Sequence, residues 1–212
     1  LLEMLDTDFA GRERERRSLT KEISRYGNND TETNTTARRI TSEFCHMVES
    51  YPNTRGGFFI PGMYSNSANV PLGAVVGALP NGRKTGMPIA EACSPSHGVE
   101  KQGPTQAALS VASLDHMIMT NGSQYNQKYH PSTLKGSYGI RALSDLIRTF
   151  FEAGGYHIQF NVVSGETLKA AQKEPEKYRD LVVRVAGYTA FFVDLNKDIQ
   201  NDIINRTEQV GF

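Results

Sequence analysis

Gly187 stands alone between two apolar runs, in Asp180–Phe192 (DLVVRVAGYTAFF). By spacing alone this is a turn glycine joining two strands. The other residues able to do chemistry are not grouped for it. His97, His116, His130 and His157 are scattered, with no cysteine or carboxylate partners at metal-ligand spacing. Serines are plentiful, but no nucleophile elbow marks a serine–histidine–carboxylate triad. The glycine-rich stretch after Phe58 lacks the lysine–serine or lysine–threonine pair of a phosphate loop, and no dinucleotide fingerprint is present. Cys45 and His46 sit inside a helical pattern and read as a packed thiol and a boundary histidine. Cys93 lies among glycines and prolines. Two cysteines are too few for a disulfide framework or a four-cysteine metal site.

The elements that must position these residues form an α/β pattern. Helical spacing runs through Leu2, Leu5, Phe9, Leu19 and Ile23, predicting one helix over 1–25 with an exposed charged middle. Tyr26–Asp30 is a turn by composition. A second helix places Ile40, Phe44, Met47, Val48 and Tyr51 on one face. Between Pro52 and Pro104, glycine and proline recur every few residues, so Phe58–Ile60 and Gly73–Ala78 are short strands at most. Fifty residues is too long for an idle connection, and Phe58, Phe59, Met63, Tyr64 and Val75 argue against disorder. An ordered loop region that shapes a site is expected.

Farther on, a short helix is expected over 106–115, a strand over 123–130, and a helix over 138–153 with Ile140, Leu143, Ile147 and Phe150 on one face. Gly154-Gly155 stops that helix. Tyr156–Val163 alternates as a strand, Ile158, Phe160 and Val162 against His157, Gln159 and Asn161. A short helix carrying Leu168 and Ala171 follows, then the two strands around Gly187, then a helix with Leu195, Ile199, Ile203 and Ile204.

Lysine plus arginine (23) equals aspartate plus glutamate (23), so no net field draws the chain to nucleic acid or an acidic bilayer. No apolar run approaches the roughly 20 residues of a membrane span. The first residues lack a signal-peptide layout and open inside an apolar helical pattern without a methionine, which reads as a cut.

Arg184-Val185-Ala186-Gly187-Tyr188 resembles the signature of the glycyl radical enzymes. The likeness extends to Tyr26-Gly27-Asn28, NGRKTG (Asn81–Gly86), KQGPT (Lys101–Thr105), HIQFNVV (His157–Val163), PEKYRDL (Pro175–Leu181) and DIQNDIINRTE (Asp198–Glu208). It therefore covers nearly the whole chain. The resemblance implies that Gly187 stores a backbone radical. Glycine suits this role because an unpaired electron on Cα is delocalised over the flanking peptide groups only if Cα becomes planar, and a side chain would crowd that arrangement.

Arg184, Val185, Ala186 and Tyr188 are then supports of the radical loop. A guanidinium holds its proton in proteins, so Arg184 is an anchor, not an acid. The apolar flanks Val182, Val183, Val185, Phe191 and Phe192 suit a loop tucked into a core.

The resemblance further implies the C-terminal part of a larger α/β barrel. Residues 1–80 would belong to a pyruvate formate-lyase-like barrel domain and 81–212 to a glycine radical domain. No cofactor is bound. The radical is installed by a separate radical S-adenosylmethionine activating enzyme with an iron–sulfur cluster. It then passes to a thiyl cysteine upstream, and neither Cys45 nor Cys93 resembles that thiyl loop in context. A small organic substrate, a homodimer, an anaerobic cytoplasm and exposed apolar surface awaiting the rest of the polypeptide complete the expectation. The motif context leans toward the glycerol dehydratase, decarboxylase and succinate synthase relatives rather than pyruvate formate-lyase. The alternative is a stand-alone repair protein that replaces an oxygen-cleaved C-terminus.

Overall fold

The computed structural model describes residues 1–212. Its centre is a parallel three-stranded sheet in the order β2-β1-β5, with β1 (Asn126–Tyr129) in the middle, β2 (Gln159–Val162) on one side and β5 (Glu208–Gln209) on the other. Asn126 pairs with Gln159 and Tyr129 with Val162, while Lys128 and Tyr129 pair with Glu208 and Gln209. Parallel neighbours need long crossovers. The first is α6 (Gly136–Glu152), which Gly154 ends at φ +99°. The second contains α7 (Gly165–Lys173), the antiparallel hairpin β3 (Val182–Arg184) and β4 (Thr189–Phe191), and α8 (Lys197–Asn205).

Helix starts follow from their caps. Asp30, Ser164 and Asn196 each accept the backbone N–H three residues on, at 2.9, 3.1 and 2.9 Å, opening α3 (Thr31–Glu49), α7 and α8. Pro104 opens α5 (Pro104–Ala112), where its missing N–H costs nothing.

Two cores result. Cys45, Ala108, Val111, Leu146, Phe150 and Tyr125 join α3, α5 and α6 to the sheet. Leu168, Ala171, Val183, Val185, Phe192 and Ile203 join α7 and α8 to the hairpin. The α/β class is as expected, and the chain has no helix long and apolar enough to cross a membrane.

Three elements differ from the sequence reading. The first helix splits into α1 (Leu2–Asp6) and α2 (Glu13–Lys21), because Asp8 and Phe9 turn left-handed, at φ 50° and 61°, and bury Phe9. Gly73–Ala78 is no strand, since α4 (Asn69–Val75) occupies its first half. A Cβ on Gly73 would lie 2.5 Å from the Met87 carbonyl, so glycine lets the 87–89 loop touch this helix. In α6, Ile140 faces outward and Leu146 is buried in its place, alongside Gly139 and Phe150.

In β2 the expected alternation holds, and the buried face is the polar one. Gln159 and Asn161 are inside and Val162 is outside.

The 52–104 region is ordered with almost no regular structure. Arg83 organises much of it, donating to the carbonyls of Gly73 at 2.6 Å, Gly77 at 2.8 Å, Val76 and Pro88 at 3.3 Å, and also Met87. Gly73 and Val76 are at the C-terminal end of α4, so the guanidinium supplies donors that the helix end lacks. Cys45 is buried, as expected. The apolar stripe of α3 is real but faces solvent in this chain, with Ile40, Phe44, Met47 and Tyr51 exposed, as are Phe58, Phe59 and Ile60 beyond it.

Candidate radical site

The hairpin around Gly187 is built from both ends. Arg184 pairs with Thr189, and the Val185 N–H donates to the Tyr188 carbonyl at 2.8 Å. Four residues therefore close the turn, and Gly187 alone among them has positive φ, at +82°. That is the type II pattern, which calls for glycine at the third position. Val185 and Ala186 are fully buried in the second core, whereas Gly187 itself is exposed. The expected shielding is not supplied by this chain. Val182 and Phe191 are likewise exposed, leaving Val183, Val185 and Phe192 as the inward flanks.

Arg184 is tied on every side. Its Nε and Nη2 donate to Gln159 Oε1 at 3.1 and 2.8 Å, and its Nη1 to Thr189 Oγ1 at 2.8 Å. Its backbone is clamped by Asn161, whose Oδ1 accepts the Arg184 N–H and whose Nδ2 donates to the Arg184 carbonyl, both at 2.8 Å. This explains the polar face of β2, whose two amides bind the hairpin.

The tie continues inward. Gln159 donates to Asn126 Oδ1, and Asn126 donates to Glu91 Oε1. Glu91 Oε2 lies 3.6 Å from Arg206 Nη2, which bonds Asp202 at 3.2 Å, and Arg206 Nη1 returns to the Arg184 carbonyl at 3.4 Å. All of these partners are buried except Arg184, which is half-buried. Burial pushes the Glu91 carboxyl above its usual range, against the pull of Arg206 and Asn126. His157 accepts the Tyr125 N–H at 3.4 Å, and burial, then the Arg184 charge, push its pKa below the usual imidazole value.

Tyr188 is half-exposed, its hydroxyl 3.5 Å from Ser67 Oγ. Beneath the loop lies Gln124, which sequence reasoning did not single out. Its amide is the nearest group to the place a Cβ would take on Gly187, 3.8 Å away. Glu91, Asn126 and Arg206 were also missed, although NRTE and HIQFNVV, which hold Arg206 and Gln159, stood in the resembling segments.

Two clefts open elsewhere, of about 630 and 1100 Å³, and neither is lined by Arg184–Tyr188. Cys93 is buried, its thiol pushed up to about 11 by burial, which leaves it protonated and inert. One grouping was not visible in the sequence. Ligand atoms of His130, Glu166 and Glu208 lie within 4.8 Å of one another. Glu208 there already accepts the Gly165 N–H at 2.8 Å and sits 3.5 Å from the Lys128 ammonium.

The family described as "Glycine radical" matches residues 89–193, which contain Gly187 and the side-chain partners of Arg184, and "Pyruvate formate lyase-like" matches residues 1–73. The chain belongs to the glycyl radical enzymes. Its fold superimposes on a glycerol-bound B12-independent glycerol dehydratase from Clostridium butyricum with a TM-score of 0.95 at 50% identity, covering 98% of this chain and 26% of that one. Hydroxyproline dehydratase from Clostridioides difficile gives a TM-score of 0.94 at 37% identity, covering 99% and 26%. The probable dehydratase YbiW of Escherichia coli is 44% identical across 97% of this chain and 26% of its own length. The chain thus spans about a quarter of the length of these glycyl radical enzymes.

Proposed function

We propose that this chain is the C-terminal part of a glycyl radical enzyme of the dehydratase kind, and that Gly187 stores its radical. The observation that carries this is the arrangement of Gly187. It is a positive-φ glycine at the tip of a hairpin whose base is buried and whose arginine is fixed by a polar network, inside the stretch that matches the glycine radical family. In this reading Arg184 holds the tip in register, Val185 and Ala186 seat it, and Tyr188 closes the turn through its carbonyl. Activation removes one hydrogen atom from Gly187 Cα, performed by a radical S-adenosylmethionine enzyme carrying an iron–sulfur cluster. The radical then passes to a thiyl cysteine outside this chain, which abstracts hydrogen from a small organic substrate.

Residues 1–80 belong to the barrel and 81–212 to the glycine radical domain. The exposed faces of α3, Phe58–Ile60 and the Gly187 tip are covered by the remainder of the polypeptide, which excludes water and oxygen. The working setting is an anaerobic cytoplasm, and the assembly a homodimer. The 50% identity to a glycerol dehydratase supports homolytic loss of water from a small polyol as the reaction.

The test is anaerobic activation of the whole protein. An electron-spin-resonance doublet from the one remaining Cα hydrogen is expected, collapsing when glycine is deuterated. Turnover of glycerol or 1,2-propanediol should accompany it. Absence of the doublet overturns the reading of Gly187, whereas a doublet without diol turnover overturns only the choice of substrate.

A further inference from the structure

Gln124 is pinned through its backbone. Its N–H donates to the Met63 carbonyl and its carbonyl accepts the Cys93 N–H, both at 3.0 Å. Its side chain is buried, 4% exposed, and Nε2 is shut off from solvent with no hydrogen-bond partner. A buried amide donor without an acceptor is costly, and such groups call for an explanation. The neighbour that offers one is Gly187, with Nε2 3.8 Å from its Cβ position.

The resting geometry of Gly187 shows what the donor waits for. Delocalising an electron from Cα over both flanking peptide groups requires those groups to approach coplanarity, with φ near 180°. At φ +82° they are far from it. Loss of a Cα hydrogen atom therefore drives a rotation about N–Cα that moves the Gly187 carbonyl. In the resulting radical the amide nitrogen releases electron density and the carbonyl oxygen accepts it. A hydrogen bond to that oxygen strengthens the accepting half and lowers the energy of the radical.

We propose that Gln124 stabilises the glycyl radical by donating Nε2–H to the Gly187 carbonyl oxygen, a bond absent in the resting chain and made in the radical state. This rests on the reading that Gly187 carries the radical. No atom is transferred in the step. The amide keeps its protons, and only the carbonyl gains a partner.

The test uses the whole enzyme with its activating enzyme, without oxygen. Electron–nuclear double resonance of the unmodified protein in H₂O and D₂O should reveal a weakly coupled exchangeable proton in addition to the peptide N–H protons of Gly187 and Tyr188. Gln124→Leu, which keeps the bulk and removes the donor, should lose that proton and lower the radical yield about two- to tenfold, the worth of one hydrogen bond. Gln124→Met, a second replacement of similar bulk with no donor, should do the same. An unmodified enzyme with a doublet but no exchangeable proton beyond those of the flanking peptide groups overturns the proposal whatever the variants do. So does a Gln124→Leu enzyme with unchanged yield and coupling. An unmodified enzyme without any doublet overturns the reading of Gly187 itself, and this proposal with it.

Discussion

At the scale of single residues, what separates a radical glycine from a turn glycine is the consequence of one methyl group. A Cβ on Gly187 meets only ordinary contacts, the nearest 3.8 Å away, so Gly187→Ala keeps its space and suffers chiefly from positive φ. We expect it to lose about 1 kcal/mol or somewhat more in stability and all activity. Activity, denaturation and spin resonance on one preparation would check this. A variant that retains turnover would return Gly187 to an ordinary turn. Arg184 has a complementary test. Lysine cannot hold Gln159 and Thr189 together from one fork, so Arg184→Lys should lower radical yield while circular dichroism stays the same. The glycine, its arginine and its apolar seats were legible in the sequence because they are contiguous. Gln124, Glu91 and Asn126 were not, because their importance lies in which residues the fold places beside them.

At the scale of elements, periodicity gave the type of β2 but not which face lies inward. Alternation says that two faces differ, and the usual inference puts apolar groups inside. Here the inner face meets an arginine hairpin, so Gln159 and Asn161 are buried. The α3 stripe forms one face, as its spacing predicts, and that face is exposed in this chain. The 52–104 loops have no period, and their order comes from Arg83 binding carbonyls, which no spacing rule announces.

A polar base of this kind releases more readily than an apolar one, since water can replace its hydrogen bonds. Hydrogen exchange across 185–192 should therefore quicken when the activating enzyme is added, and equal protection with and without it would count against release of the hairpin.

The terminal strand has its own control. Burial holds the Glu100 carboxyl up at about 7, against an ordinary 4.5, while Gln209 of β5 donates to it at 3.0 Å. Below pH 4.5 the folded and unfolded states both carry the proton and the contribution to stability is complete. As pH rises toward and through 7 the unfolded chain ionises first, and that contribution is lost. Denaturation midpoints should fall across this window, and Glu100→Gln should flatten the fall.

At the scale of the whole molecule, the chain has two well-packed cores and a broad apolar exterior. Expressed alone, the 212 residues should associate, as light scattering would register, and should show no turnover with any diol. Co-expression with the rest of the polypeptide should reverse both. Turnover by the isolated chain would sink the view that the hydrogen-abstracting cysteine lies elsewhere.

The placement of β5 has one more consequence. Oxygen attack on a radical at Gly187 would cut the chain there, yet everything after the cut remains interlocked with what precedes it. Phe192 and Ile203 stay in a core with Val183 and Leu168, and β5 stays paired to β1 through only two residues at the sheet's edge. A nicked molecule should therefore keep its tail through purification and yield it under mild denaturant. The vacant edge and half-core left behind would then form a socket shaped for an intact replacement tail, so oxygen damage at this glycine would be repairable by exchange of a part.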